Sequence, residues 1–238
     1  MSKTSRFAWA AAAGLATTVS LHAAVQPDTL QATGGAITIQ PIMHAAVQIR
    51  HGNQVITVDP TAMGGDYNTL PKADLVLVTD IHQDHLDAAT AAKAAKPNAM
   101  VLAPMAAVAQ LKGATAIANG EKKTVGDVTV EAVAMYNLQR GPAAGQLFHT
   151  KGRGNGYIVT VGGKRLYFAG DTECIPEMKA LKNIDVAFVP MNLPYTMPPN
   201  EAAECVKAFK PKVVYPYHYM GSDLKVFSDA LNGSGVEV

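Results

Sequence analysis

The chain has 238 residues, of which 48% are hydrophobic and 16% are charged, and its formal net charge is +1. This composition is typical of a globular protein and excludes a disordered or collagen-like chain. The balanced charge and the low aromatic content of 6% argue against a nucleic-acid binder, which usually carries a basic patch. We therefore expect no nucleic-acid partner.

Residues 1–24 have the pattern of a secretory signal peptide. Lys3 and Arg6 form a short basic region, and an apolar, alanine-rich run at 7–19 follows. Ala23 and Ala24 then supply small residues for cleavage. The apolar run is shorter than the roughly 20 residues that a helix needs to cross a bilayer. We expect a periplasmic or secreted protein without stable membrane insertion after cleavage, and an uncleaved N-terminal anchor is the alternative.

The first half of the remaining chain alternates short apolar runs with helical patterns. Strands are predicted at 36–39, 45–49, 54–58, 75–79 and 101–103, and helices at 86–95 and 105–111. The run at 75–79 is typical of a strand that is buried on both faces. Pro97 marks the end of the first helix, and Pro104 precedes the second.

The second half repeats this alternation. Strands are predicted at 123–125, 128–134, 156–161, 165–169, 186–189 and 213–217, and helices at 199–209 and 222–231. The pair Gly162-Gly163 is a hairpin signal between two of these strands. Both halves together predict a single layered α/β domain over residues 25–238, with two sheets and outer helices.

Two cysteines, Cys174 and Cys205, follow the signal peptide. Export would permit a disulfide between them. However, Cys205 lies in a predicted helix and Cys174 in a predicted loop, and their spacing is not that of a redox or zinc motif. We expect two separate thiols, with a disulfide as the alternative.

Acidic and imidazole side chains follow four of the predicted buried strands. They are Asp59, then Asp80, His82, Asp84 and His85, then Asp171, and finally His218. Loops at one edge of a sheet are where active sites are built. The pattern therefore predicts one site that is assembled from distant segments of the chain.

The segment 80–85 is the most informative of these, because it places two imidazoles and two carboxylates within six residues. Both groups are good ligands for zinc and for other divalent first-row metals. The alternative is that Asp84 or Asp87 caps the following helix. Capping needs only one carboxylate, so we predict a metal site here.

The residues Val-Thr-Asp-Ile-His-Gln-Asp-His at 78–85 resemble the T-H-x-H-x-D-H motif of the metallo-β-lactamase superfamily. Phe-Ala-Gly-Asp-Thr at 168–172 resembles its G-D-T element, Tyr217-His218 resembles its final His, and 58–60 also fits. The resemblance runs in order from about residue 37 to residue 218. It is closest to the branch of ascorbate-6-phosphate lactonase-like and N-acyl phosphatidylethanolamine phospholipase D-like proteins. It implies a four-layer αββα sandwich.

The resemblance implies one complete metal site and one altered site. The complete site is formed by Asp84, His85, Asp171 as a bridge, and His218. The altered site keeps His82 and the bridge, has Asp80 in place of the first motif His, and has Asn137 where the third metal-binding His is expected. His149 is a candidate replacement ligand or a substrate contact, and its alternative is a residue of a surface loop.

The implied function is a metal-dependent hydrolase, with zinc as the expected cofactor. We expect one tight zinc site and a second site that is weak or absent or that holds Mn²⁺. The metal would activate a water, and Asp80 or Asp84 would orient that water or accept its proton. The alternative is a metal-binding or ligand-binding protein on the same fold with little hydrolytic activity.

The expected substrate is a small molecule with an ester, lactone, amide or phosphodiester bond. His44, which the resemblance places near the site, and Asn192 and Tyr195, which follow a buried strand, are candidates for substrate binding. The glycine-rich segment 152–156 precedes a strand rather than a helix, so it is a poor phosphate-binding loop and is expected to form a hairpin or a rim. The sequence leaves the oligomeric state open.

Overall fold

The computed structural model describes residues 26–238. The predicted signal peptide at residues 1–24 lies outside this range. Within the described range, no helix combines the length and the hydropathy that crossing a bilayer requires.

The first sheet contains seven strands that are hydrogen-bonded in chain order. They are β1 (Asp28–Leu30), β2 (Ile37–Met43), β3 (Ala46–His51), β4 (Gln54–Val58), β5 (Ala73–Leu77), β6 (Ala95–Ala103) and β7 (Thr115–Ala116). Strands β1 to β4 are antiparallel neighbours. Strands β4 to β7 are parallel. Helix α1 (Ala88–Ala94) connects β5 to β6, and helix α2 (Met105–Val108) connects β6 to β7.

The second sheet has the same plan in six strands, in the order β13-β12-β11-β10-β9-β8. They are β8 (Lys122–Val125), β9 (Val128–Met135), β10 (Gly154–Val161), β11 (Lys164–Phe168), β12 (Val186–Pro190) and β13 (Val213–Tyr217). Strands β8 to β11 are antiparallel, and β11 to β13 are parallel. Helices α3 (Pro176–Lys179) and α4 (Pro199–Phe209) lie in the parallel half, and α5 (Leu224–Leu231) follows β13.

Three hydrophobic cores separate the layers. The central core joins the two sheets, and it contains Ile49 and Leu75 from the first sheet and Tyr157 and Phe168 from the second. A second core packs α1 and α2 on the first sheet, and a third packs α3, α4 and α5 on the second. Since each sheet buries one face against the other sheet and the other face against helices, the chain is an αββα sandwich, which confirms the predicted fold.

The expectation of two separate thiols was wrong, because Cys174 and Cys205 form a disulfide. Their Cα atoms lie 5.6 Å apart although 31 positions separate them in the sequence. Cys174 lies in the loop after β11 and Cys205 lies on the buried face of α4. The layered packing brings this helix back over that loop, which the two local patterns could not reveal.

The helix that was predicted at 86–95 is shorter in the structure. Asp87 is the N-cap of α1, since its Oδ1 accepts a hydrogen bond from the Thr90 amide at 2.6 Å. Asp84 therefore does not cap this helix. The chain becomes extended at Ala95, so β6 begins well before the predicted strand at 101–103. Strands β1 and β7 and helix α3 were not predicted, because they have only two to four residues each.

Candidate metal centre

The parallel halves of both sheets direct their carboxyl ends to the same region. Strand β4 leads to Asp59, β5 leads to residues 80–85, β11 leads to Asp171, and β13 leads to His218. The two sheets are joined there, since the Asn155 amide donates to the Thr79 carbonyl at 2.8 Å. Loops from four strands thus supply side chains to one site, as the sequence predicted.

We define the His85 cluster as Asp84, His85, Asp171 and His218, whose candidate ligand atoms all lie within 4.8 Å of one another. His218 Nε2 is 3.1 Å from Asp84 Oδ2 and 3.2 Å from Asp171 Oδ1. His85 Nε2 is 3.3 Å from Asp171 Oδ2. Three of the four side chains are almost fully buried, whereas that of Asp84 is 32% exposed. The cluster is therefore open to solvent on the side of Asp84.

A buried carboxylate lies behind His85. Asp59 Oδ2 is 2.8 Å from His85 Nδ1, and this carboxylate also accepts hydrogen bonds from the Thr79 amide and hydroxyl. In the neutral imidazole this contact favours the proton on Nδ1, so that Nε2 faces Asp171 and is available to coordinate a metal. Burial opposes the charged imidazole, but Asp171 and Asp59 raise its pKa well above the usual range.

His44 lies against the other side of the His85 cluster. Its Nε2 is 3.1 Å from Asp84 Oδ2, and its ring centroid is 3.8 Å from that of His218. The His218 amide donates to the His44 carbonyl at 3.0 Å. Burial favours the neutral form of Asp84, but the hydrogen bonds to His218 and His44 hold its pKa below the usual range. His44 thus contacts a candidate ligand directly.

Three non-glycine residues at this centre have left-handed backbone conformations. The φ angles are +57° at His44, +43° at Asp59 and +46° at His218. Side chains other than glycine rarely adopt such angles, and where they do the strain is often found at functional sites. In each case the turn directs an Asp or His side chain into the site.

We define the His82 cluster as Asp80, His82 and His149, which also lie within 4.8 Å of one another. His82 Nδ1 is 2.7 Å from Asp80 Oδ2, and His149 Nε2 is 3.8 Å from the same oxygen. His149 Nε2 is also 3.1 Å from Asp171 Oδ2. Asp171 therefore lies between the two clusters, in a position to bridge them.

Asn137 lies behind His149 rather than inside either cluster. Its Oδ1 accepts hydrogen bonds from His149 Nδ1 at 2.6 Å and from the His149 amide at 2.8 Å. Its Nδ2 donates to the Tyr195 carbonyl and to Glu173. Both polar ends of this amide are used by protein partners, and they orient His149 so that Nε2 faces Asp171.

Sequence reasoning missed Arg153 as a residue of this site. Its Nε and Nη2 donate to the two oxygens of Asp80 at 3.2 and 2.9 Å, and its Nη1 donates to the Phe148 carbonyl at 2.8 Å. Burial would raise the pKa of Asp80, but His82 and Arg153 hold it below the usual range. The only signal in the sequence was an arginine in the glycine-rich segment 152–156, which indicated no partner.

Gly154 shows why that segment is rich in glycine. A Cβ atom at this position would lie 2.1 Å from Met135 Cε and 2.9 Å from the Thr79 carbonyl oxygen. Only glycine lets the start of β10 approach the chain just after β5 so closely. The segment therefore forms a strand start against the site, and it brings Arg153 next to Asp80.

Asn192 and Tyr195 lie in the loop after β12, at the rim of the site. The Asn192 amide donates to Thr196 Oγ1 at 2.7 Å, which closes the turn. Tyr195 is 45% exposed, and its ring packs edge-on against the Phe148 ring with centroids 5.0 Å apart. Neither of these side chains contacts the clusters in the hydrogen bonds and ion pairs of residues 26–238.

A cleft of about 850 Å³ opens beside the exposed edge of Asp84. It is lined by Met63, Gln83, Asp87 and Gln110 together with Asp84 itself. Asp84 is the one member of the His85 cluster among its lining residues, so the cleft provides space next to that carboxylate. Sequence reasoning did not identify these lining residues, because they come from three unrelated segments.

The chemistry of the two clusters fits a metal. His85 Nε2, His149 Nε2 and Asp171 Oδ1 are buried and have no hydrogen-bond partner in the described residues. The two imidazole nitrogens lie 3.3 and 3.1 Å from Asp171 Oδ2, and Asp171 Oδ1 lies 3.2 Å from His218 Nε2. Buried polar atoms are normally paired, and a cation held between these imidazole nitrogens and carboxylate oxygens would satisfy them. Imidazole nitrogen with carboxylate oxygen is a ligand set of zinc and of other divalent first-row metals.

Comparisons with known proteins also support a metal-binding site. A family model described as a beta-lactamase superfamily domain matches residues 38–218. A UPF0173 metal-dependent hydrolase of Symbiobacterium thermophilum is 32% identical over 205 residues, which cover 76% of this chain and 83% of that protein. A UPF0173 metal-dependent hydrolase of Thermococcus kodakarensis is 30% identical over 192 residues, with coverage of 77% and 84%.

Two crystal structures extend the comparison. A protein of Parabacteroides distasonis that is described as a metal-dependent hydrolase superposes with a TM-score of 0.84 at 40% identity, covering 90% of this chain and 96% of its own. A protein of Thermotoga maritima, described as a zinc-dependent hydrolase of the metallo-beta-lactamase superfamily, gives a TM-score of 0.56 at 19% identity, with coverage of 83% and 87%. The second likeness shows the fold alone.

Proposed function

Because this chain belongs to the metallo-β-lactamase superfamily and is one of its metal-dependent hydrolases, we propose that it is an exported zinc enzyme. Its substrate would be a small molecule that carries an ester, lactone, amide or phosphodiester bond. The observation that supports this most is the convergence of His85 Nε2, His149 Nε2 and Asp171 Oδ1, three buried atoms without a hydrogen-bond partner in the described residues. Their neighbour Asp84 lines an open cleft.

The His85 cluster would hold the tighter metal, and the His82 cluster together with Asp171 would hold a weaker one. Such a metal supplies Lewis acidity for the scissile group and lowers the pKa of water towards about 7. Asp59 fixes the tautomer of His85, and Asn137 fixes that of His149, so both imidazoles present Nε2 to the centre. The site is thus organised before metal binds, which reduces the entropy cost of binding.

Asp84 is the carboxylate that we assign to orienting water and accepting a proton. It is 32% exposed at the cleft, and His44 and His218 hold its Oδ2 in place. Asp80 is less suited to this role, because it is fully buried and both of its oxygens already accept from Arg153. His44 acts through Asp84, while Tyr195 and Asn192 would line the rim where a substrate enters.

Export is supported by two independent features. The segment 1–24 has the pattern of a signal peptide, and the Cys174–Cys205 disulfide is of a kind that persists in oxidising compartments. N-terminal sequencing of the protein from fractionated cells should find a start between Ala23 and Gln26. A soluble cytosolic protein that begins at Met1 would contradict this proposal.

The Asp80–Arg153 pair favours one alternative function, a metal-binding or ligand-binding protein with little hydrolytic activity. An arginine that is hydrogen-bonded to a candidate ligand offsets its negative charge and so weakens its attraction for a second metal. If chemistry needs two metals, the chain would bind one and turn over slowly.

One experiment separates the two functions. Metal content is measured by mass spectrometry on protein purified without chelator, and hydrolysis is measured on a panel of generic esters, lactones, amides and phosphodiesters. We expect about one tightly bound zinc per chain and hydrolysis that is lost in Asp84→Asn. A zinc-loaded protein without turnover on the whole panel would favour the binding function. A protein that binds no divalent metal would contradict the hydrolase and the metal-binding protein alike, and it would leave only a ligand-binding protein.

A further inference from the structure

We propose that Arg153 is a built-in cation of the His82 cluster, which offsets the charge of Asp80 and thereby weakens the binding of a metal there. This inference rests on the proposed function, because it takes the two clusters as metal sites. It concerns how strongly the two sites differ and which residue sets the difference.

All three guanidinium nitrogens of Arg153 form hydrogen bonds, although the side chain is partly exposed. Two of its nitrogens donate to the two oxygens of Asp80, and the third donates to a backbone carbonyl. The side chain is 20% exposed, while Asp80 is fully buried. A bidentate pair of this kind is stronger than a single charged hydrogen bond, and it is held in one geometry. The guanidinium is therefore a fixed charge beside the cluster.

Asp80 Oδ2 is the atom on which the proposal depends. It is the atom of Asp80 that lies closest to the other members of the cluster, 2.7 Å from His82 Nδ1 and 3.8 Å from His149 Nε2. The same oxygen accepts from Arg153 Nη2 at 2.9 Å. A metal that used this oxygen would share it with the guanidinium, and two cations on one carboxylate repel each other.

The charge balance explains why an arginine stands here. If a histidine stood in place of Asp80, the cluster would consist of three neutral imidazoles and would carry no charge. Asp80 instead brings one negative charge into a fully buried position. A buried carboxylate without a partner is costly, and Arg153 supplies the opposite charge. The pair Asp80–Arg153 is thus a neutral unit, and the gain that a carboxylate would bring to metal affinity is largely cancelled.

A purely structural role predicts the opposite result. Arg153 also ties the start of β10 to the Phe148 carbonyl, next to His149. If its main role were to hold His149 in place, its removal would loosen the cluster and weaken metal binding. If its charge dominates, its removal would strengthen metal binding at the His82 cluster.

The test is a zinc titration of the full mature chain against a chromophoric chelator, with Arg153→Met and Arg153→Lys. Met keeps the aliphatic length and removes the charge, whereas Lys keeps the charge and removes the fork. We expect the weaker zinc equivalent to bind about tenfold to a hundredfold more tightly in Arg153→Met. In Arg153→Lys it should stay within about threefold of the wild type. The tight equivalent serves as an internal check of folding in each variant.

Two controls make the result specific. Lys151→Met removes a cation two positions away that pairs with the exposed Glu177, and it should leave both equivalents unchanged. In Asp80→Asn combined with Arg153→Met, the carboxylate is gone as well, so the tightening should disappear. A weaker equivalent that is unchanged or loosened in Arg153→Met, with the tight one intact, would overturn the proposal. A wild type that binds no zinc would overturn the proposed function, and this inference would be rejected with it.

Discussion

Both clusters take residues from the loop after β5 and both adjoin Asp171, yet they differ in what lies behind their candidate ligands. Behind His85 lies a buried carboxylate, Asp59, which increases the basicity of the imidazole. Beside Asp80 lies the guanidinium of Arg153, which offsets the negative charge of the carboxylate. The two clusters therefore differ in the charge of the group next to a candidate ligand, and on the function proposed above this difference would make one metal site tighter than the other.

The contrast between the two clusters depends most on His85 being a ligand of the proposed tighter site. Replacing His85 or His218 by Ala should abolish tight zinc binding, because each removes one of the few nitrogen ligands of that cluster. At zinc concentrations a thousandfold above the wild-type Kd, the lost binding removes about 4 kcal/mol from the free energy of unfolding. The measurement is metal content together with thermal unfolding at fixed zinc concentration.

His51→Ala is the matched control for these variants. His51 is a buried histidine that contacts the Thr33 carbonyl and lies outside both clusters. Its replacement should change stability without changing metal content. Unchanged metal content in both His85→Ala and His218→Ala would refute the assignment of the tight site.

The disulfide gives a test of what the clusters share. Cys174 lies three positions after Asp171, so the bond to α4 restrains the loop that serves both clusters. Cys205→Ser should lower the free energy of unfolding by about 3–4 kcal/mol, mainly because the unfolded chain gains freedom over a 31-residue loop. Urea unfolding of the oxidised wild type and the variant measures this.

The same variant should weaken both zinc equivalents by similar factors, if the restraint acts through Asp171. A reducing agent should lower the stability of the wild type towards that of Cys205→Ser and leave the variant unchanged. Weakening of one equivalent alone would mean that the loop does not serve the two clusters equally.

The sequence predicted the layers and the complete cluster because both depend on local patterns. Apolar runs followed at once by Asp or His identified the strand ends, and these ends meet whenever parallel strands share a sheet edge. This pattern named Asp84, His85, Asp171 and His218 together with Asp59, Asp80 and His82, and the family resemblance then implied that the first four form one complete metal site. Their proximity is a result of topology, and topology follows from the alternation of strands and helices.

The rest depended on contacts between segments that carry no shared pattern. Arg153 and Asp80 lie 73 positions apart and pair because Gly154 allows a close approach of two backbones. Cys205 reaches Cys174 only once α4 packs over the β11 loop. Asn137 was identified in sequence as a candidate ligand, whereas in the structure its amide supports His149. Such pairings are set by tertiary packing, which local periodicity does not encode.

Removing the carboxylate behind His85 should reduce the contrast between the clusters. In Asp59→Asn, the imidazole loses a charged acceptor, and we expect the tight zinc equivalent to weaken about tenfold to a hundredfold. The weaker equivalent should change much less, because Asp59 does not contact the His82 cluster. The measurement is the same competitive zinc titration.

Asp74→Asn is the control for that variant, because Asp74 also lies in the first sheet and pairs with Lys96 away from the site. It should leave the zinc affinity unchanged. Equal tight binding in the wild type and in Asp59→Asn would show that the carboxylate serves stability alone, and the explanation of the contrast between the clusters would fail.

The smallest expected effect concerns the exposed member of the weaker cluster, in protein from which metal has been removed. The hydrogen bond to Asp80 raises the pKa of His82 above its usual value, with Asp171 acting in the same direction. A raised pKa in the folded state stabilises the fold fully below the unfolded value of about 6.5, and this contribution is lost as the pH rises through the folded pKa. Because the His82 side chain is 44% exposed, we expect this contribution to the free energy of unfolding to be less than about 1 kcal/mol.

Urea unfolding of chelator-treated wild type and His82→Gln should therefore show a larger difference in stability at pH 6 than at pH 9. A difference that is constant, or that grows with pH, would mean that His82 is not charged in the metal-free cluster, and the Asp80 carboxylate would then be balanced by Arg153 alone.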